Sequence, residues 1–237
     1  MNPSLSSIKP FYDKLLNHQN DRYRSFNHCY SYFKNMDNEY IDETVSMLHL
    51  GFYLASWGMY RGSSFLIQKD YKIFKPVIQK LFENQYLDLK NLDEKLNKNN
   101  YKEMAALTFS LHEKIQEILE TERLKYYEYK NKNSPKAKIS STLTTKILMG
   151  TLGCIPAYDR FFQSGIKAYN DNNKPNLIQN FSVNSINKIY HFAVKNKDDL
   201  LNIQSELIEE TGYKYPLMKL IDSYFWLIGY NLELKFL

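Results

Sequence analysis

The chain has 237 residues, of which 43% are apolar and 24% are charged, so it can bury a globular core and is not expected to be disordered. Its formal net charge of +5 is mild for this length and permits an anionic partner without requiring one. The two cysteines, Cys29 and Cys154, lie far apart and no signal region follows Met1, which argues against a disulfide framework and predicts reduced thiols in a cytoplasmic protein.

Apolar residues recur at helical spacing through the first third of the chain, and we expect helices there. None of the apolar runs reaches membrane-spanning length, so we expect no membrane partner. The aromatic stripe on the second helix should belong to the core rather than form a platform for stacking bases. The predicted ranges are Ser7 to Leu16, Asp21 to Phe33, Tyr40 to Gln68 and Asp70 to Asn84.

The end of the third of these helices carries Gly58 and Gly62 on either side of Arg61, followed by Ser63 and Ser64. Backbone amides beside small residues, together with a guanidinium group, could hold a phosphate, which would make Arg61 and Ser63 part of a nucleic-acid site. The spacing is not that of a P-loop. Small residues also permit a tight helix crossing or a kink, and both interpretations stay open.

The polar, asparagine-rich stretch 87–100 predicts a loop with a short helix at Leu92 to Leu96, and the one weak subdomain boundary is placed there. Tyr101 to Lys130 has the clearest helical period in the chain. A Lys, Tyr and Asn segment follows. Basic groups release counterions from a phosphate backbone and tyrosines stack on bases, so Lys136 and Lys138 are candidate nucleic-acid contacts, with a plain solvated linker as the alternative.

A metal site on that long helix is a weaker hypothesis. His112 and Glu113 have Glu117 and Glu120 as neighbours, but the segment has no His-Glu-x-x-His motif. Charged residues on the outer side of a long helix are usually solvated. We therefore expect no metal and no cofactor.

A short apolar helix is predicted from Thr142 onwards, and Gly150 and Gly153 should let other groups pack close to its backbone. The helix should end near Gly153. Pro156 suits the first turn of a second helix, which should contain Ala157 to Arg160.

Asp159 has two interpretations. In the first it caps the N-terminus of the second helix and Arg160 pairs with a nearby acid. In the second its carboxylate lies in a cleft and takes part in chemistry. A cleft shared by Arg61, Tyr158, Asp159 and Arg160 would favour the second.

The remaining residues predict three further helices and show neither β-alternation nor an internal repeat. Their ranges are Val183 to Asn196, Leu200 to Thr211 and Tyr215 to Leu234. The fold class is therefore predicted as all-α, a compact multi-helix single domain over residues 1–237. The sequence gives no oligomeric state.

The segment Thr142 to Gly165 resembles part of the helix-hairpin-helix DNA glycosylases, in which an apolar helix leads through a glycine and a proline to a catalytic aspartate. Residues Thr144 to Leu148 resemble the helix, Gly153 and Pro156 the turn, and Asp159 the aspartate. A Gly-x-Gly hairpin does not precede the helix, and no iron–sulfur cysteine cluster is present. The pattern is also similar to that of some helical bacterial proteins, which implies a diverged relative.

The resemblance implies that Asp159 stabilises a cationic sugar or orients water after a base leaves. Arg61, Lys136 and Lys138 would bind phosphates, and Tyr158 would stack on an extruded base. Counted back from Asp159, the family's Schiff-base lysine corresponds to a position near Ser141 or Thr142, where this chain has no lysine. Lys146 lies one helical turn beyond that position. The alternative is a non-enzymatic helical interaction protein, such as a bacterial defence or toxin–antitoxin component.

Overall fold

Helices make up all the regular secondary structure in the computed structural model, which describes residues 3–36, 41–62, 64–130, 138–173 and 176–234. Helical apolar periodicity and the lack of β-alternation explain this, and the all-α, compact fold is confirmed. The α-helices are α1 (Lys9–Asn17), α2 (Arg24–Asn35), α3 (Glu43–Ser56), α4 (Lys75–Leu81), α5 (Leu87–Lys90), α6 (Leu92–Lys95), α7 (Tyr101–Tyr129), α8 (Ser141–Thr151), α9 (Arg160–Asn173), α10 (Val183–Lys195), α11 (Lys197–Thr211) and α12 (Leu217–Leu234). Short 3₁₀ turns lie at Leu5–Ile8, Phe65–Gln68, Tyr71–Phe74 and Asn84–Tyr86.

The prediction of one helix from Tyr40 to Gln68 is wrong, because α3 ends at Ser56. The start is well specified: the Asp42 carboxylate accepts a hydrogen bond from the backbone amide of Val45 at 3.0 Å. The end follows from Gly58, whose φ of 75° is a left-handed conformation that stops the helix. The chain therefore turns away from α3 immediately before Arg61.

Helix α8 lies in the middle of the core and packs against α2, α3 and α7. The ring of Tyr53 occupies the space where a side chain on Gly150 would be. Gly153 has a φ of 61° and touches Pro216, whose Cγ would lie 2.6 Å from an added Cβ. The prediction that these glycines admit close neighbours is confirmed.

Helices α9 and α12 approach each other even more closely. A methyl group on Gly165 would overlap the carbonyl oxygen of Phe225, and one on Gly229 would overlap the carbonyl oxygen of Phe161. Two glycines thus allow backbone-to-backbone contact, which fixes α12 against the start of α9.

The buried histidine of α7 is part of the core. Thr144 of α8 and the Nδ1 atom of His112 are hydrogen-bonded at 2.7 Å, and the ring of Phe181 packs against the imidazole at 4.3 Å. Burial lowers the pKa of His112 to about 4. Within the described part of the chain, no group of three His, Cys, Asp or Glu side chains is arranged to hold a metal ion.

Residues 87–100 connect to the C-terminal helices. The Asp93 carboxylate accepts hydrogen bonds from the backbone amide of Leu217 at 3.1 Å and from Gln204 at 3.2 Å. Burial is the main reason that the pKa of Asp93 is raised to about 6. The weak boundary placed in this stretch stays a prediction.

Both cysteines are buried and neither is in a disulfide. Burial raises the pKa of Cys154 to about 12 and raises that of Cys29 as well, so both are poor nucleophiles as they stand. No helix within the described ranges has the length and apolar character needed to cross a membrane.

Candidate functional site

Asp159 is the N-cap of α9. Its Oδ1 atom accepts hydrogen bonds from the backbone amides of Phe161 and Phe162, both at 3.1 Å. The prediction that Asp159 caps the helix is therefore confirmed, and the pairing of Arg160 with an acid stays a prediction. The helix begins only at Arg160, so the prediction that Pro156 opens it is wrong, and Pro156 lies in the link between α8 and α9.

Several hydrogen bonds hold that link in place. Thr145 on α8 accepts a hydrogen bond from the backbone amide of Tyr158 at 3.0 Å, and Thr142 donates one to the Tyr158 carbonyl at 2.9 Å. Asp222 of α12 accepts a hydrogen bond from the backbone amide of Ala157 at 3.0 Å. The threonine-rich sequence of α8 thus supplies side-chain partners for backbone that has no helical ones.

The other carboxylate oxygen of Asp159 faces a lysine. The Nζ atom of Lys146, on α8, lies 3.4 Å from Oδ2, and the two side chains are only 5% and 15% exposed. Lys146 also donates to the backbone carbonyl of Trp57 at 3.2 Å and lies 5.3 Å from the centre of its ring. Burial lowers the pKa of Lys146, and the charges of Asp159 and Asp222 partly oppose that shift.

Lys146 does not take the place of the family's Schiff-base lysine in the sequence pattern, yet the structure places its ammonium group beside Asp159. Residue counting in the glycosylase pattern placed Lys146 a turn too late, but the extended link brings Asp159 back alongside it. A signal was present in the sequence. Lys146 stands between Thr145 and Ile147 in a helix that is buried from Leu143 to Thr151, and a buried lysine needs an acidic partner.

A second buried ion pair lies behind the first. Lys219 and Asp222 of α12 are 2.8 Å apart and are 6% and 4% exposed. Burial raises the pKa of Asp222, and the positive charge of Lys219 opposes that rise. The Lys219 ammonium lies 4.8 Å from the centre of the Trp57 ring, so this indole contacts both lysines. Asp222 is not among the site residues predicted from the sequence.

A cavity of about 70 Å³ opens beside Asp159, and we call it the Asp159 cleft. The ion pair of Lys146 and Asp159 forms part of its lining. The Nε1 donor of Trp57 is buried and has no hydrogen-bond partner in the described ranges. The other lining residues are Arg22, Tyr23, Ser56, Gly58, Arg61, Phe161 and Trp226.

Arg61 is exposed and lines this cleft. Its position depends on Gly58, because a Cβ atom there would lie 2.9 Å from the Arg61 Nε atom. Arg22 is also exposed, and its guanidinium lies 5.0 Å from the centre of the Tyr23 ring. Two cationic groups thus stand at a cleft with aromatic walls.

Of the other predicted site residues, those that the structure describes do not line the Asp159 cleft. Tyr158 is fully buried against Phe162 and Phe181, so its ring is not placed to stack on a ligand in the cleft. Arg160 is exposed and lies over the ring of Phe161, 4.6 Å from its centre. Lys138 is exposed just before α8, and Ser63 and Lys136 lie outside the described residues.

A larger cavity of about 610 Å³, the aromatic groove, lies on the other side of Tyr23 and Trp226. These two side chains line both cavities. The groove is formed by the N-terminal segment, α1, α9 and α12, and it includes Phe11 and Tyr230. Its volume is in the usual range for a small-molecule site.

The site therefore combines exposed guanidinium groups, partly exposed aromatic rings, an unpartnered indole donor and an ammonium–carboxylate pair. Such groups can bind phosphate, stack on a planar ring and stabilise charge that develops beside them. Comparisons with protein-family models, curated proteins and solved structures found no match for the chain.

Proposed function

We propose that the chain is a diverged DNA glycosylase-like protein that binds nucleic acid, or a nucleobase or nucleotide, in the Asp159 cleft. The observation that carries the proposal is the buried Lys146–Asp159 pair, 3.4 Å apart, at the bottom of a cleft with Arg22 and Arg61 at its edge. Burying two opposite charges is costly, and a structural cap needs only the carboxylate. A role in charge stabilisation accounts for both groups.

Each part of a nucleotide has a partner in this arrangement. Arg22 and Arg61 bind phosphate, in the role first assigned to Arg61 with Lys136 and Lys138. Tyr23 and Trp57 replace Tyr158 as the stacking residues, because their rings line the cleft and that of Tyr158 does not.

Asp159 then stabilises the cationic sugar that forms as a base leaves, or orients the attacking water. In this role Oδ2, the oxygen beside Lys146, faces the reacting group while Oδ1 stays on the helix amides. Lys146 keeps a positive charge beside the carboxylate and holds it in position. The scissile bond is the one between the sugar and the base, and water supplies the new oxygen.

Asp159→Asn tests this chemistry without removing the cap, because asparagine caps helices as well as aspartate does. We expect the variant to release bases from a panel of damaged oligonucleotides roughly 100-fold to 1000-fold more slowly than the wild type. Binding at low salt should change little, whereas the melting temperature should fall, because the buried ammonium group of Lys146 loses its charged partner. Base release is measured by chromatography and binding by fluorescence anisotropy.

Asp42→Asn is a matched control, since Asp42 also caps a helix and does not line the cleft. It should leave base release unchanged. If the wild type neither releases any base nor binds an oligonucleotide at low salt, the proposed function is rejected.

A second candidate is an interaction protein that acts through α3. Leu48 and Phe52 lie one turn apart on this helix and are 47% and 61% exposed. If a second copy of the chain covers them, light scattering should report a dimer for the wild type and a monomer for Phe52→Ser. A monomeric wild type would argue against this candidate.

A further inference from the structure

Partly exposed aromatic side chains run without a break from the Asp159 cleft into the aromatic groove. Tyr23 and Trp226 have ring centres 6.0 Å apart, and Trp226 and Tyr230 are stacked at 4.8 Å with an angle of 11° between their planes. Phe11 continues the row, 5.7 Å from Tyr23. Tyr23 and Trp226 line both cavities, so the two cavities are neighbours and share these side chains.

Basic groups accompany this row. Arg22, Arg61 and Lys146 line the cleft and Lys14 lines the groove, whereas the acidic side chains on these two surfaces are Asp159 and Asp21. The positive groups thus outnumber the negative ones along the path. Rows of aromatic rings beside basic residues are the usual way in which proteins hold unpaired nucleotides without reading their sequence.

Resting on the proposed function, we propose that the substrate is a single strand of nucleic acid that occupies both cavities. One nucleotide lies in the Asp159 cleft, and its neighbours cross Trp226 and stack on Tyr230 in the groove. A duplex does not suit this surface, because its bases are stacked on one another and present only their edges. Unpaired bases offer their faces to aromatic rings.

The tryptophans give a direct readout, because the chain has two and both line the site. Trp57 lines the cleft, whereas Trp226 lines the cleft and the groove. In Trp226→Phe, thymidine monophosphate should quench the fluorescence of Trp57. In Trp57→Phe, a thymidine oligomer of about twelve nucleotides should quench Trp226 more strongly than the mononucleotide does.

Affinity gives a second readout. Fluorescence anisotropy at low salt should show tighter binding of the thymidine oligomer than of its duplex with the complementary strand. Tyr230→Leu should weaken oligomer binding by about tenfold, the effect of losing one stacked base, and should leave quenching by the mononucleotide unchanged. Phe52→Leu, a change to an exposed aromatic residue that lines neither cavity, should bind like the wild type.

Different results would contradict the single-strand path and the proposed function. Equal or tighter binding of the duplex, or oligomer quenching of Trp226 no greater than that by the mononucleotide, overturns the single-strand path. Quenching of Trp57 by the mononucleotide would still leave the cleft as a nucleotide site. If neither the mononucleotide nor the oligomer quenches either tryptophan, both the single-strand path and the proposed function are rejected.

Discussion

Asp222→Ala should lower the free energy of unfolding by about 3–5 kcal/mol, because it leaves the ammonium group of Lys219 buried without its partner. The two side chains are 6% and 4% exposed, so water cannot replace the lost carboxylate. The substitution also removes the acceptor for the backbone amide of Ala157. Urea unfolding followed by circular dichroism measures the change.

Two further variants separate the destabilising effect of an unpaired buried charge from that of lost packing. Asp222→Leu combined with Lys219→Met removes both charges and should be less destabilising than Asp222→Ala. Asp171→Ala changes an exposed aspartate on α9 and should stay within about 0.5 kcal/mol of the wild type. A cost below about 1 kcal/mol for Asp222→Ala would mean that Lys219 finds water or another partner.

Gly165→Ala should destabilise the protein by about 3 kcal/mol or more, since its methyl group would overlap the carbonyl oxygen of Phe225. The clash is with backbone, so no side-chain rotation relieves it. Helices α9 and α12 must move apart, and the packing of both is weakened. For a chain of this size the melting temperature should fall by roughly 6–12 °C, measured by calorimetry.

Gly51→Ala is the matched control. Gly51 is also a buried helical glycine, but an added Cβ would lie 3.5 Å from the Cβ of Tyr71, which is an ordinary contact. Alanine favours helix over glycine, so this variant should be stabilised by up to about 1 kcal/mol. Similar melting temperatures for the two variants would contradict the close approach of α9 and α12.

The parts of the fold that depend on local periodicity could be predicted from the sequence. The helix predicted over Tyr101 to Lys130 is observed over Tyr101–Tyr129, and helix capping was one of the two interpretations of Asp159. The helix expected from Tyr40 to Gln68 failed because Gly58 adopts a left-handed conformation, which a helical pattern of apolar residues does not reveal.

The charged part of the site could be predicted only in part. Asp159 was identified, but Lys146 was set aside. The distance between the two side chains depends on the path of the link and on the hydrogen bond that the Ala157 amide donates to Asp222. Tyr158 was expected to stack on a base in the cleft, yet its ring is buried, because neighbouring positions in a non-helical link follow no simple period. These features arise from tertiary contacts between distant segments.

Because the link between α8 and α9 is attached to α12, the Asp159 cleft forms late during synthesis of the chain. A nascent chain that has completed α8 and α9 already contains Lys146 and Asp159, but it still lacks Asp222 and Trp226. Contacts across such long sequence separations form late and slowly, because a large loop must close first. During translation the Asp159 cleft therefore stays incomplete until α12 has emerged from the ribosome and docked.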